Sequence, residues 1–420
     1  HTITSDNIPN GAIPFDQIWQ LPADTFFQYI PQVVGLYQYV CTPHIPFGMI
    51  GEFTVVNGPQ TYVPDDSFEQ ALINLGYDNI LDNYVATENI DTVTSLNVGY
   101  QNISDLTGIE DFTALTELDV KGNQLTSLDV SNNTALTYLK CANNQLTSID
   151  VSNNTALTYL KCAANQLTSI DVSNNTNLTE LECHSNQLTS LDISNNIALT
   201  VLKCKYNQIT SLDVSQNTAL TIFQCELNQL ISIDVSNNTA LTYLGCGNNQ
   251  ITSLDVSSNT ALTYLNCTWN QLSTLDISIN IALETLSSGS NQLTALDVSQ
   301  NTALTSLRCN DNQLTSLDLR NGNNNLLDTN LYCTDNPNLY CIDVDDAAFS
   351  TVNWTVANGN IDPQQYFSNN CTPSAIQEHT TNKELLKITD ILGREIKEKR
   401  NTPLFYIFEN GTVEKKIIIE

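Results

Sequence analysis

Apolar residues recur with a period of 21 residues through the middle of the chain. Ten units between Leu115 and Asn324 follow the pattern LxxLxCxxNQLxxLDVSxNTA, and residues 136–156, LTYLKCANNQLTSIDVSNNTA, are one example. The leucines at unit positions 1, 4, 11 and 14 are predicted to point inward, and no unit can bury them without a neighbour on each side. So short a unit leaves too few residues for a helix after the strand, so the polar DVSNNT segment predicts a tight turn. The pattern therefore predicts stacked coils with one short strand each.

This repeat resembles the bacterial leucine-rich-repeat family, whose LxxLxLxxN/CxL core forms one short strand and one return turn per coil. The resemblance implies a mainly β solenoid, with short turns in place of helices, over residues 115–324. Solenoid ends need caps. The stretch DDSFEQALINLG predicts a short amphipathic helix that begins with a capping box between Asp66 and Glu69 and ends at Gly76. Residues 61–114 are therefore assigned to an N-terminal cap and a first degenerate repeat.

Three further unit positions repeat along the array. Asparagine recurs at position 9 from Asn123 to Asn312, where its side chain is expected to bond the turn backbone. Cysteine occupies the inward position 6 in eight units from Cys141 to Cys309, and these thiols are expected to be buried and free. Aspartate recurs at position 15 from Asp129 to Asp318. Its carboxylates are expected to accept hydrogen bonds from turn amides, with bound calcium as the alternative.

Composition narrows the range of partners. The formal net charge is −30, and residues 1–382 hold 7 basic against 38 acidic side chains. This balance argues against nucleic acid, because phosphate neutralisation needs clustered Lys and Arg. No stretch approaches the roughly 18 to 20 apolar residues of a membrane span, so none is expected. Since neither an initiator Met nor a signal peptide precedes His1, the chain is expected to start mid-protein or after processing.

Six of those seven basic residues fall on unit positions 5 or 7, which face solvent on the concave side of such a solenoid. Aromatic residues lie beside them at positions 3 and 8. Together they predict a concave face that binds a surface glycan or protein through ring contacts and charge-assisted hydrogen bonds. The alternative is that Tyr and Lys suit exposed strand positions and were copied by repeat duplication. The predicted binding residues are Tyr138, Lys140, Tyr159, Lys161, Lys203, Lys205, Tyr206, Tyr243, Tyr264 and Trp269.

Residues 1–57 contain no repeat but carry a candidate metal set. The stretch GLYQYVCTPHIPFGMIGEFTVV places Cys41, His44 and Met49 on a strand, a loop and a strand. It resembles plastocyanin, a cupredoxin, and HTITSDNIPNGAIPFD resembles the segment of that family that begins with its first histidine ligand. The resemblance implies a partial cupredoxin β-sandwich that holds one blue-copper ion and serves an unidentified redox partner. The implied ligands are His1, Cys41, His44 and Met49. Residues 58–60 are the linker to the cap.

Two segments follow the array. NPNLYCIDVDDAAFSTVNW and YFSNNC resemble the closing segment of secreted flavobacterial-type repeat proteins, which implies a C-terminal cap at 325–371 with a disulfide between Cys341 and Cys371. After a linker at 372–382, residues 383–420 show alternating apolar positions and an Asn410-Gly411 hairpin signal. Through LGRE and LFYIFENGTVEKK they resemble the C-terminal sorting domain of the Bacteroidota type IX secretion system, with an ordinary terminal hairpin as the alternative. The resemblance implies an extracellular or cell-surface protein that this machinery exports across the outer membrane.

Four functions compete on these patterns: a copper electron carrier joined to a binding solenoid, a plain surface adhesin, a copper enzyme and a hydrolase. Four histidines are too few for the additional copper centre of a multicopper enzyme. No nucleophile-elbow, phosphate-loop or zinc motif supports hydrolase or nucleotide chemistry. The chain is therefore expected to be no enzyme, but a blue-copper electron-transfer domain combined with a leucine-rich-repeat binding platform. The alternative is a plain adhesin, a carbohydrate- or protein-binding solenoid with a non-functional cupredoxin remnant.

Overall fold

The computed structural model divides into two compact units, His1–Asn369 and Asn370–Glu420. The structure describes residues 2–18, 28–47, 49–55, 58–327, 330–371, 385–389, 393–397, 403–408 and 413–416. Within these ranges no helix is long and apolar enough to cross a membrane.

The first unit begins with a four-stranded antiparallel sheet. Its strands are β1 (Thr2–Asn7), β2 (Asp16–Ile18), β3 (Gly35–Val40) and β4 (Ile50–Val55), in the order β2-β1-β3-β4. Tyr37 is fully buried, and its ring stacks on Phe53 with a centroid distance of 5.0 Å. A 3-10 helix at Thr42–Phe47 lies between β3 and β4. The sheet confirms that this segment is β, while its identity as a cupredoxin stays a prediction.

A strand pair and one helix precede the array. These elements are β5 (Gln60–Tyr62), α1 (Asp66–Leu75) and β6 (Tyr84–Ala86), with 3-10 turns at Thr87–Asn89 and Ile109–Asp111. The predicted capping box was wrong by one residue, because Asp65 rather than Asp66 is the N-cap and accepts two amides of the first turn. Glu69 does not return to the N-cap. It is buried and accepts two backbone amides around the start of β6. Gly76 ends the helix at φ 82°, as predicted.

Short parallel strands make up most of the remaining unit. They are β7 (Ser95–Asn97), β8 (Glu117–Asp119), β9 (Tyr138–Lys140), β10 (Tyr159–Lys161), β11 (Glu180–Glu182), β12 (Val201–Lys203), β13 (Ile222–Gln224), β14 (Tyr243–Gly245), β15 (Tyr264–Asn266), β16 (Thr285–Ser287), β17 (Ala295–Asp297), β18 (Ser306–Arg308), β19 (Ser316–Asp318), β20 (Leu331–Tyr332), β21 (Cys341–Asp343) and β22 (Tyr366–Ser368). Strands β7 to β16 with β18 and β20 form one 12-stranded parallel sheet in chain order. Strands β17, β19, β21 and β22 form a second sheet of 4 strands. The array is thus the predicted mainly β solenoid.

The core runs through the stacked coils. Inward leucines such as Leu136, Leu139 and Leu146 are completely buried, which stabilises the fold by roughly 1.5–3 kcal/mol per side chain relative to exposure. The cysteines of the array are buried free thiols, as predicted, and the stack extends to Cys333 in the C-terminal cap. Burial raises the pKa of these thiols, Cys225 among them, so they remain protonated and act as small apolar groups.

Two asparagine ladders hold the turns together. The predicted ladder at position 9 is confirmed: Asn144 donates to the carbonyls of Val120 and Cys141 at 3.0 and 3.1 Å and accepts the Leu125 amide at 3.1 Å. A second ladder, at position 19, was not predicted. Its members, such as Asn154, are fully buried, and Asn154 donates to two carbonyls of the preceding coil, those of Val130 and Asn133, each at 2.9 Å. Both ladders satisfy carbonyls that the turns would otherwise leave without donors.

The first unit closes with two short helices, α2 (Asn324–Leu327) and α3 (Ala347–Asn353). Asp346 caps α3 by accepting the amides of Ala348 and Phe349. Trp354 follows α3, is completely buried and contacts Phe367 with a ring-centroid distance of 5.6 Å. Cys341, in β21, is disulfide-bonded, and so is Cys371, which belongs to the second unit.

The second unit contains a three-stranded antiparallel sheet. Its strands are β23 (Leu385–Thr389), β24 (Leu404–Phe408) and β25 (Val413–Lys416), paired in that order. Among its described residues, Leu404 and Tyr406 are buried hydrophobic side chains, and Ile388 and Ile396 pack against them. The antiparallel pairing of β24 with β25 agrees with the predicted hairpin, whose Asn410-Gly411 turn lies outside the described residues.

Candidate ligand-binding face

Unit positions 3, 5, 7 and 8 form the solvent side of the 12-stranded sheet, here called the concave face. Successive strands pair in register, so that Tyr138 lies opposite Tyr159 and Lys161 opposite Glu182. Side chains separated by one unit are therefore neighbours about 4.8 Å apart. This register decides which of the predicted binding residues come together.

Two of the predicted lysines are engaged by a buried glutamate. Lys161 and Lys203 each place their Nζ atom 2.7 Å from a different carboxylate oxygen of Glu182, whose side chain is only 5% exposed. Burial alone would raise the pKa of Glu182, but the hydrogen bonds from the two lysines lower it to about 2. These two lysines therefore do not act as unpaired positive charges for an anionic ligand.

The charges around Glu182 are nearly balanced. Glu180 lies 4.0 Å from the Nζ atom of Lys203, and its pKa is raised by burial and by the neighbouring Glu182. His184 places Nε2 3.9 Å from Glu182, yet burial lowers its pKa, which favours the neutral imidazole. This part of the concave face is a mixed-charge surface rather than a basic one.

The predicted tyrosines form two stacked pairs. The rings of Tyr138 and Tyr159 lie 4.3 Å apart at 14°, and those of Tyr243 and Tyr264 lie 4.1 Å apart at 4°. Lys140 extends over the first pair, with Nζ 4.8 Å from the Tyr138 centroid, within cation–π range. The ring faces that meet within each pair are unavailable to a ligand.

Two aromatic residues are exposed in an unusual backbone conformation. Tyr206 and Trp269 occupy position 8, are 53% and 62% exposed, and have φ values of 55° and 54°. Position 8 has the same positive φ in other coils whatever residue fills it, for example at Asn143, Ala164 and Leu227. The coil therefore sets this backbone conformation, and the sequence places two exposed aromatic rings on it.

A cavity of about 270 Å³ opens at the N-terminal end of the concave face. Its polar lining comes from β7, β8 and β9 and includes the carboxylates of Glu117 and Asp119. Ser95 donates to Glu117 at 3.1 Å, and Lys121 pairs with Asp119 at 2.9 Å. Lys140 also lines the cavity, and neither it nor Lys205 makes an ion pair within the described part of the chain.

The aspartates of the turns accept hydrogen bonds from backbone amides, as the sequence predicts. Asp150, for example, accepts the Ser152 amide at 2.9 Å, and hydrogen bonding to Ser152 lowers its pKa. Among the described residues, no group of three or more His, Cys, Asp and Glu side chains could hold a metal ion. Calcium binding by these turns stays an untested alternative.

Two of the four predicted copper ligands have described side chains. Cys41 follows β3 directly and is buried, whereas Met49 is 47% exposed. The Cys41 amide donates to the Met49 carbonyl at 3.0 Å, which brings the two ends of the ligand loop together. His1 and the side chain of His44 lie outside the described residues, although the backbone of His44 belongs to the 3-10 helix.

Sequence reasoning missed the acidic residues of the concave face. Glu182 is one unit from both Lys161 and Lys203, so the ion-pair triad follows from the period alone once cross-strand pairing is considered. Glu226 is equally visible at position 7, but its burial against Gly245 depends on side-chain packing.

Solved structures of other repeat proteins are similar to this chain. The functional domain of InlJ from Listeria monocytogenes, which includes a cysteine ladder, is 35% identical with a TM-score of 0.62, and the match covers 75% of this chain and 71% of that one. The internalin InlF from the same species is 22% identical with a TM-score of 0.54, covering 74% of this chain and 96% of that one. A TDR receptor is 21% identical with a TM-score of 0.54, covering 61% of this chain and 52% of that one. The last two show a common fold only.

The LVIVD repeat model matches residues 158–185. No curated protein matches the chain at a significant level.

Proposed function

This chain belongs to the internalin-type family of leucine-rich-repeat proteins, and on that premise we propose that it is a binding protein, not an enzyme, whose concave face holds a protein partner. The observation that carries the proposal is the exposure of Tyr206 and Trp269 on the concave face, at 53% and 62%. Ala164 and Ser185 fill the same position in other coils, so the coil itself does not require an aromatic ring there. Tyr and Trp are the side chains most enriched among the residues that dominate protein interfaces.

A protein partner agrees better with the geometry than an anionic ligand or a glycan does. Lys161 and Lys203 are paired with Glu182, so they do not attract an anion as free charges would. Sugars stack on open aromatic faces, whereas the stacked tyrosine pairs turn one face of each ring toward its neighbour. Mixed charges around exposed aromatic anchors are typical of protein interfaces.

Parallel screens against arrays of extracellular proteins and of glycans test this proposal. Each ligand found is measured again with Trp269→Ala and Tyr206→Ala, and with Ile281→Ala as a control. Ile281 is 61% exposed and lies in the same unit as Trp269, but in the turn at the end of that unit. Loss of an interface anchor is expected to weaken binding by about 2 kcal/mol, roughly 30-fold in Kd. Ligands found only among glycans, or an equal loss for Ile281→Ala, would contradict the proposal.

We also propose, as a second function, that the N-terminal domain carries one blue-copper ion for electron transfer. The hydrogen bond between the Cys41 amide and the Met49 carbonyl supports it, because it joins the thiolate and thioether positions of the expected ligand set. His1 and His44 would supply the nitrogens, and the bound ion would exchange one electron with a redox partner. Copper-loaded protein is expected to show an intense visible charge-transfer band that Cys41→Ser abolishes. A band that survives this substitution, or none at all in a longer gene product, would leave the binding solenoid as the sole function.

We propose further that the protein is exported to the cell surface or the medium, with residues 383–420 as the type IX secretion signal. The small antiparallel sheet of β23 to β25 is compatible with such a separate sorting domain. Fusing residues 372–420 to a periplasmic reporter protein tests this directly. The reporter should reach the cell surface in a type IX-competent strain. If it also reached the cell surface in a secretion-deficient strain, the proposal would be contradicted.

A further inference from the structure

Glu226 is a buried carboxylate on the concave face, and one of its two oxygens has no hydrogen-bond partner. Its side chain is 9% exposed, and its Oε2 atom is buried with no partner among the described residues. Burial raises its pKa, and a hydrogen bond from its own backbone and the charge of Lys205 oppose this only in part. A carboxylate removed from water in this way is destabilised unless a cation or a donor reaches it.

Gly245 leaves the space that Glu226 occupies, and Gly247 lies two residues further along the same coil. A Cβ atom at Gly245 would lie 2.1 Å from the Oε1 atom of Glu226, and one at Gly247 would lie 2.9 Å from the hydroxyl of Thr268. Neither glycine has a positive φ, so backbone conformation does not require them. A side chain at Gly245 would displace the carboxylate of Glu226, whereas glycine at Gly247 leaves room for the side chains of Thr268 and Asn266.

The surroundings of this recess suit a cation. Asn266, one coil further, has its Oδ1 atom 3.1 Å from the ideal Cβ position of Gly247. This oxygen already accepts the amide and the hydroxyl of Thr268 at 3.1 and 2.7 Å, so it adds partial negative charge to the recess. Tyr243 and Tyr264 stand beside it as a stacked pair. Carboxylate and amide oxygens accept hydrogen bonds from cationic groups, and tyrosine rings attract them electrostatically.

We propose that this Glu226 recess, formed by Glu226, Tyr243, Gly245, Gly247 and Asn266, receives the cationic head of a lysine or arginine side chain from the protein partner. The inference rests on the proposed function and specifies the chemistry of the partner. With 7 basic against 38 acidic residues before residue 383, the molecule also draws basic ligands toward it. The cation pairs with the Oε2 atom of Glu226 while the carboxylate remains over Gly245.

Binding of short peptides to the full chain tests the inference. The probes are end-capped hexalysine and hexaarginine, with fully acetylated hexalysine as the uncharged comparison, measured by fluorescence anisotropy at near-physiological salt. Glu226→Gln is compared with Glu284→Gln, which makes the same charge change at an exposed site in the coil that begins at Leu283. Gly245→Ala is added because its Cβ expels the carboxylate from the recess.

We expect Glu226→Gln and Gly245→Ala to weaken peptide binding at least about fivefold, and Glu284→Gln by less than about twofold. The preferred peptide then identifies a lysine or an arginine as the natural occupant. Equal effects of the two Gln substitutions, or equal binding of the acetylated peptide, would overturn the inference. Circular dichroism checks that Gly245→Ala is folded. If Gly245→Ala is unfolded, the result for Glu226→Gln alone tests the inference. Failure here leaves the Trp269 and Tyr206 test of the concave face unaffected, so the two proposals fail separately.

Discussion

Replacing Glu182 by Gln tests the ion-pair triad of the concave face. The substitution keeps the shape of the side chain but removes the charge that holds Lys161 and Lys203 at 2.7 Å. The pKa of Glu182 is lowered from its usual 4.5 to about 2, a difference equivalent to about 3 kcal/mol. Because both lysines are partly exposed and water screens their charges, we expect a loss of about 2 kcal/mol in the free energy of unfolding at neutral pH.

The expected loss depends on pH in a defined direction. A carboxylate whose pKa is lowered by folding stabilises the protein above its unfolded pKa and loses that contribution as the pH falls through its folded value. The difference between the wild type and Glu182→Gln should therefore be full at pH ~7 and shrink between pH ~4.5 and pH ~2. Glu180→Gln is the matched control, because Glu180 is more exposed, lies 4.0 Å from Lys203 and has a raised pKa.

Urea unfolding followed by far-ultraviolet circular dichroism, at neutral and at acidic pH, measures these differences. Glu180→Gln should change the stability by less than about 0.5 kcal/mol. Equal unfolding midpoints for the two variants at neutral pH would refute the reasoning, as would a difference for Glu182→Gln that grows on acidification.

Three further outcomes are expected. Cys225→Ser places a hydroxyl in the buried thiol stack and should lower the stability by about 1–3 kcal/mol. Ser288 occupies the same position in another unit, but its hydroxyl donates to a carbonyl. An unchanged urea midpoint for Cys225→Ser would contradict the expectation. Asn217→Ala removes two buried hydrogen bonds and should lower the stability by about 2–4 kcal/mol in the same assay. Gln216→Ala, at the exposed neighbouring position, should change the stability by less than about 0.5 kcal/mol. Similar effects of the two substitutions would contradict a stabilising role of the asparagine ladder. Mass spectrometry of surface-exposed protein should find a C-terminus before Lys383, and an intact C-terminal tail would contradict removal of the sorting domain.

The repeat period predicts the solenoid because each leucine position has one inward direction and one partner in the next coil. The same reasoning predicts the ladder of Asn144 and could have predicted that of Asn154, which recurs with the same period. It is less accurate at the cap, where Asp65 and Asp66 are both able to cap and only the backbone geometry decides between them.

The side-chain arrangement of the candidate site is harder to predict from the sequence than the fold is, for a physical reason. Periodicity fixes the neighbours of a side chain, which is why Glu182 and its two lysines could be derived from spacing alone. It does not fix rotamers, so neither the mutual stacking of Tyr243 with Tyr264 nor the folding of Glu226 over Gly245 follows from it. The exposure of the ring of Trp269 also requires the structure, whereas its positive φ recurs at position 8 of other coils.

Hydroxyl-radical footprinting of the chain with a protein ligand from the array tests the central claim most directly. Tyr206 and Trp269 are exposed and reactive, and Tyr340 and Tyr366 in the C-terminal cap, at 58% and 56% exposure, are internal controls. If the concave face holds the partner, oxidation of Tyr206 and Trp269 falls when the ligand is added while that of the two control tyrosines does not change. Unchanged oxidation of Tyr206 and Trp269 at saturating ligand would contradict the account.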